Sequence, residues 1–366
     1  MSSPLFQPFA YKSLELANRV VMAPMTRAHS PGGIPGPDVA AYYRRRTEGG
    51  VGLIITEGTT IDRPGASNNP AYPNFHEPAS LAGWKKVVDE VHAAGGKIAP
   101  QLWHLGMVRK PGTGPHPEGK SDGPSGLAAN GKQVGEPMSD EDIADTIEAF
   151  AKAAQAAKEI GFDCVELHGA HGYLIDQFFW EASNQRTDNF GGDLVKRTHF
   201  AAEIVKAVRK RVGPDYVIIQ RFSQWKQQDY TAKLARTPDE LAKFLQPLTE
   251  AGVDIYHAST RRFWEPEFEG SDLNLAGWCK KLTGLPSITV GSVGLKGPDF
   301  TASLRGGGES EVGSFDEIEA RLARGEFDLV AVGRALISDA NWAAKVRDGR
   351  FNELQTFSPA SMQVYA

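Results

Sequence analysis

The sequence predicts an α/β fold of the (β/α)8 TIM-barrel class, because eight short apolar runs alternate with amphipathic helical segments along the chain. The runs are apolar at nearly every position, as strands buried on both faces of a parallel sheet require. No glycine-rich dinucleotide turn follows the first run, so the rival open, doubly wound sheet lacks its main signature.

The predicted strands are 19–24 (RVVMAP), 51–57 (VGLIITE), 97–102 (KIAPQL), 162–167 (FDCVEL), 216–221 (YVIIQR), 253–257 (VDIYH), 287–290 (SITV) and 327–332 (FDLVAV). A helix over 80–94 places Leu81, Trp84, Val87, Val88 and Val91 on one face. A second, over 139–160, opens with Ser139 and Asp142 at capping-box spacing. A third, over 237–251, has Thr237 as its cap and Pro238 in its first turn. The tripeptides EIG, EAG and ARG each close a helix on a glycine just before a strand. Two Gly/Pro-rich stretches interrupt the alternation. Residues 106–138 are expected to form a lid excursion within one barrel domain spanning 1–366, since a structureless loop of that length is uncommon inside a domain. Residues 294–314, with RGGGESEVGS, form a second insertion after strand seven.

Composition excludes several classes. Of 366 residues, 41% are hydrophobic and 23% charged, which is ordinary for a globular protein. The net charge of −5, with no basic stripe, argues against a nucleic-acid partner. Two cysteines, Cys164 and Cys279, are too few for a disulfide framework or an iron–sulfur set. The start MSSPLFQPF has no basic-then-apolar leader pattern, and no apolar run reaches the length that crosses a bilayer. The expectation is a cytoplasmic protein without a membrane or nucleic-acid partner.

On this fold the chemistry sits at the carboxyl ends of the strands. Those ends carry Thr26, Gly58, Gln101 with Trp103, His168 with His171 and Tyr173, Arg221, His257, Gly291 with Gly294, and Gly333 with Arg334. The turns VGSVG and VGRAL suit a phosphate: glycine lets backbone N–H groups approach closely, and Arg334 adds a cation. His168 and His171 would share a face of a helical first turn. They read either as metal ligands, with His104 or His257 as a third, or as hydrogen-bond donors to an oxygen that gains negative charge. The metal reading gives a metal-dependent barrel hydrolase as the alternative function. Tyr173 is a candidate proton donor, since a phenol stays protonated at neutral pH. In the plainest reading, one histidine caps the helix and Tyr173 packs on the barrel edge. Gln101 and Thr26 suit the edge of a heteroaromatic ring. A buried Arg221 needs an anion, either a reduced flavin ring or a carboxylate such as Glu57. Trp103 and RRFWEPEF (261–268) would line a flat apolar slot.

NRVVMAPMTR (18–27), APQLWHLG (99–106), ELHGAHGYLIDQF (166–178), NQRTDNFGG (184–192) and AVGRALI (331–337) together resemble, in order, blocks of the old yellow enzyme family of FMN-dependent ene-reductases, with N-ethylmaleimide reductase among its relatives. The resemblance implies a barrel with one non-covalent FMN, reduced by NADPH or NADH. Pro24, Met25, Thr26, Gly58, Gln101 and Arg221 match positions around the flavin ring. Gly291, Gly294, Gly333 and Arg334 match its phosphate end. His168 and His171 match the pair that holds the substrate, with Trp103 and Thr26 beside them, and Tyr173 matches the proton donor. The implied substrates are small-molecule electron-poor alkenes conjugated to a carbonyl or nitro group, reduced by hydride from flavin N5 and a proton from Tyr173. A monomer or homodimer is expected. ASTRRFWEPEFEGSD (258–272) and the tail FSPASMQVYA (357–366) depart from the family pattern, and no role is assigned to Tyr365.

Overall fold

The computed structural model describes residues 3–298 and 308–365. Eight parallel strands close into a barrel: β1 (Val20–Met22), β2 (Leu53–Thr60), β3 (Lys97–Trp103), β4 (Cys164–His171), β5 (Val217–Lys226), β6 (Ile255–Ser259), β7 (Ser287–Val290) and β8 (Leu329–Val332). Every predicted strand is present. The ends of β4 and β5 run four and five residues further than the apolar runs, because pairing continues past Leu167 and Arg221 into polar residues.

Side chains alternate across each strand. Leu53, Ala99, Cys164, Val217, Ile255, Ile288 and Leu329 point inward and form one cluster inside the barrel. Their neighbours Ile54, Ile98, Val165, Ile218, Tyr256 and Val330 point outward and join the larger core beneath the helices. A hairpin not foreseen in the sequence, Phe9–Tyr11 paired with Leu14–Leu16, adds Phe9, Leu14 and Leu16 to the inner cluster.

The helices are α1 (Pro37–Glu48), α2 (Pro78–Ala93), α3 (Asp140–Ile160), α4 (Leu174–Phe179), α5 (His199–Val212), α6 (Pro238–Ala251), α7 (Leu275–Thr283), α8 (Asp316–Ala323), α9 (Arg334–Ser338) and α10 (Trp342–Arg347). In α2, Trp84, Val87, Val88 and Val91 are buried. Ser139 and Asp142 make a reciprocal capping box on α3, and Gly161 ends it in the left-handed region. Thr237 caps α6, and Gly252 ends it in the same way.

The 106–138 excursion has a short 3-10 turn, Gly106–Val108, and an isolated bridge between Leu127 and Gln133, and side chains brace it. Arg109 is buried and donates to the carbonyls of Ser67, Thr113, His116 and Gly119. Asp122 accepts from Arg63 and pairs with His104. None of its residues lines the large cavity described below. Of the 294–314 insertion, Leu295–Lys296 pairs with Glu311–Val312; residues 299–307 lie outside the described residues. Among the described residues no helix is long and apolar enough to cross a membrane.

Candidate active site

A cavity of about 450 Å³ opens at the carboxyl ends of the strands, within the ~300–1,000 Å³ range of small-molecule sites. Pro24, Met25 and Thr26 line it from the segment after β1, and Gln101 and Trp103 from β3. His168, His171 and Tyr173 line it from β4 and the turn beyond, and Arg221 from β5. Gly291, Gly333 and Arg334 line it from the last two strand ends. Tyr72, Trp225, Gln227, Tyr230, Ser259 and Met362 complete much of the wall, and sequence reasoning missed all six.

Three expected members lie elsewhere. A Cβ on Gly58 would sit 2.6 Å from the Trp103 ring, so Gly58 makes room for the indole and does not itself line the cavity. Gly294, at φ +69°, faces Phe315 and Trp342 in the core. His257 is fully buried in the barrel and bonds Glu166. Of RRFWEPEF, Arg261 alone lines the cavity; Phe263 is buried in the core and Trp264 packs against it.

The histidine pair is not helical. Both residues lie in β4, and three residues along a regular strand would put them on opposite faces. A register shift against β5 between Gly169 and His171, together with φ +66° at His171, turns the second ring back to the inside. The rings end 5.2 Å apart and near perpendicular, and neither caps a helix. His171 stacks on Trp225 at 4.6 Å and pairs through Nε2 with Ser259 Oγ at 2.7 Å. His168 Nδ1 is buried and has no partner among the described residues. Burial, then the charge of Arg221, holds both imidazoles well below the usual histidine range. Both are therefore neutral near pH 7, each with one N–H to donate.

The metal reading fails on its third ligand. His104 is engaged by Asp122 at 3.0 Å and His257 by Glu166 at 2.6 Å. Among the described residues no group of three or more His, Cys, Asp and Glu side chains is disposed to hold a metal ion.

Tyr173 stands 5.2 Å from the His168 ring and 5.0 Å from Trp103. Gln227 Nε2 donates to its Oη at 3.2 Å, which leaves the phenol O–H free to donate. Burial pushes the phenol above its usual range. The turn that carries it is pinned by Asp176, whose Oδ2 accepts the Gly172 N–H at 2.7 Å, while its Oδ1 pairs with Lys226 Nζ at 2.6 Å. Both members of that pair are fully buried.

Arg221 donates from Nη2 to Ser259 Oγ at 3.3 Å, and its Nε is buried without a partner among the described residues. Glu166, not Glu57, is the carboxylate whose charge acts on it. At the other end, Arg334 donates to Pro298 O, Ser310 Oγ and Ser292 Oγ, bracing the loop after β7. Gly291 is required there: at φ +139°, a Cβ would lie 2.8 Å from the Thr260 carbonyl oxygen.

Glu57 has a different task. Its Oε2 accepts the backbone N–H groups of Arg27 at 2.9 Å and Ala28 at 3.0 Å, anchoring the segment that carries Thr26. Burial raises its pKa to about 7, against the pull of those two bonds and of Arg27. The folded value lies above the unfolded one, so the group's contribution to stability is fully present below about pH 4.5 and lost as pH rises through about 7. Relative to Glu57→Gln, the wild type should lose about 3 kcal/mol between pH 4.5 and 7. Thermal melts of both proteins across that window check it; parallel curves would refute it.

Tyr365, left without a role above, stacks between His29 at 3.9 Å and Tyr42 at 4.5 Å. Arg27 Nη2 donates to the carbonyls of Met362 and Val364, which seats the tail beside the cavity.

Eight parallel strands thus gather imidazole, phenol and guanidinium groups around one cavity at the carboxyl mouth of a barrel. A family model described as the NADH:flavin oxidoreductase / NADH oxidase family matches residues 4–353, and the chain belongs to that family. It is 34% identical over 360 residues to the NADH oxidase of Thermoanaerobacter brockii, covering 96% of this chain and 52% of that protein. It is 40% identical over 231 residues to 12-oxophytodienoate reductase 7 of Oryza sativa subsp. japonica, covering 60% of this chain and 58% of that one. The chain thus spans just over half the length of these curated relatives. The solved structure of morphinone reductase in complex with tetrahydroNAD matches with a TM-score of 0.80 at 29% identity, covering 98% of this chain and 93% of that chain.

Proposed function

We propose that this protein is an FMN-dependent, NAD(P)H-consuming reductase of electron-poor alkenes. One observation carries the reading: a single cavity brings together two neutral imidazoles, a phenol with a free proton and a buried guanidinium with an unsatisfied Nε. A buried cation with an unpaired donor suits the electron-rich edge of a flavin, and the cavity is deep enough in polar groups to orient one. Relatives named as an oxophytodienoate reductase and as a morphinone reductase captured with tetrahydroNAD point the same way.

In this reading Thr26, Gln101 and Arg221 hold the ring, with Pro24 and Met25 along it. Gly291, Gly333 and Arg334 hold the phosphate. When bound, FMN supplies the hydride chemistry between the nicotinamide and the alkene. His168 and His171 donate N–H groups to the carbonyl or nitro oxygen of the substrate and stabilise the charge that develops there. Tyr173 delivers a proton to the substrate carbon beside that group. Trp103, Tyr72, Trp225 and Tyr230 wall the cavity and exclude water. The same reading puts the enzyme in the cytoplasm, working on small molecules with NADPH or NADH.

The test is anaerobic oxidation of NADPH or NADH by the FMN-loaded protein with 2-cyclohexenone or a maleimide. Alkene-dependent oxidation is expected; a rate no faster than without alkene would contradict the proposal.

A further inference from the structure

Beneath the cavity, Glu166 and His257 form a buried polar pair to which the proposed reaction gives no role. The inward positions that continue Ala99, Cys164 and Ile255 by one alternation are Gln101, Glu166 and His257. Glu166 is fully buried. Its Oε1 accepts from Gln101 Nε2 at 2.8 Å, and its Oε2 pairs with His257 Nδ1 at 2.6 Å. His257 Nε2 is buried with no partner among the described residues. On the neighbouring strand β5, Ile219 is level with Glu166 and Arg221 with His168, so Arg221 lies one inward alternation above the carboxylate, and the charge of Glu166 acts on it.

We infer that Glu166 is a positioning residue that sets both the orientation of Gln101 and the net charge presented by Arg221 to a flavin ring. The inference rests on the FMN reading above. Because a carboxylate only accepts, Gln101 must turn its amide NH2 down to Glu166, leaving its Oε1 as the group available to a ring N–H. Glu166 also offsets part of the Arg221 charge. A flavin ring gains negative charge near N1 and O2 on reduction, so an Arg221 freed of its counter-charge favours the reduced form. Glu166 therefore holds the bound flavin at a lower potential than Arg221 alone would, which keeps it a better donor to the alkene.

The test is the FMN midpoint potential, measured by dye-equilibrated anaerobic titration of the whole protein. In Glu166→Gln the oxidised–reduced equilibrium should move at least tenfold toward the reduced form, about 30 mV for a two-electron couple. His257→Asn keeps a donor of similar reach and keeps the Glu166 charge, so it should retain the wild-type potential. FMN-loaded Glu166→Gln at the wild-type potential overturns this inference alone. So does a tenfold shift in His257→Asn, which can be read even if Glu166→Gln does not fold. A wild-type protein that takes up no FMN overturns the inference and the function together.

Discussion

Tyr173→Phe is expected to slow the alkene half-reaction about 10²- to 10⁴-fold, the usual worth of a positioned proton donor. Reduction of bound FMN by nicotinamide should keep its wild-type rate, because that step needs no proton from the phenol. The geometry makes the separation clean. Gln227 donates to the Tyr173 oxygen, so the hydroxyl proton points elsewhere, and burial keeps it on the phenol. Phenylalanine keeps the ring that packs edge-on against Trp103 and removes the proton alone. Anaerobic stopped-flow of the two half-reactions checks the prediction. An unchanged alkene step would remove Tyr173 from the chemistry, and a slowed nicotinamide step would show that the substitution disturbs the cavity.

Lys226→Met is expected to cost the largest stability of any single change considered, about 3–5 kcal/mol, the range for breaking a fully buried ion pair from one side. Lys226 and Asp176 are both 0% exposed, so the remaining carboxyl has neither water nor a counter-ion. Its pKa is already raised to about 6 by burial, with Lys226 holding it down. Without Lys226 it will take up a proton, and its hold on the Gly172 N–H will weaken. Tyr173 sits one residue further on, so activity should fall with stability. Pairing the change with Asp176→Asn should recover much of the loss, because no buried charge is left unpaired. Denaturant unfolding of the two single variants and the double variant checks this. A double variant as unstable as the sum of the singles would show that the pair acts through packing alone.

The barrel was legible because its strands are apolar on both faces, and that pattern survives in one sequence without help. The strand ends were less so. Apolar periodicity stops at Leu167 and Arg221, yet β4 and β5 continue as far as His171 and Lys226. Beyond them His168, His171 and Trp225 line the cavity, and Ser223, Gln224 and Lys226 are buried polar residues, so hydropathy does not mark the stretch as strand. The bulge that returns His171 to the inside leaves no sequence mark either, since the left-handed residue is a histidine and not a glycine. Glu166 could have been found by counting in twos, since Cys164, Glu166 and His168 share one face; the same count places His257, a strand-end candidate in the sequence, on the inward face with Ile255. Trp225, Gln227 and Tyr230 lie beyond the apolar run that marks β5, and their place in the wall depends on how far β5 reaches. Tyr365 was beyond any local signal, because its partners, Arg27, His29 and Tyr42, are more than three hundred residues away.

The most direct test of the whole account is uptake of FMN by the purified protein stripped of small molecules, followed by visible absorbance and flavin fluorescence. Stoichiometric binding, a yellow protein with shifted flavin bands, and loss of that binding in Arg221→Ala are expected. A protein that stays colourless with FMN in excess, or that binds it equally well without Arg221, would contradict it.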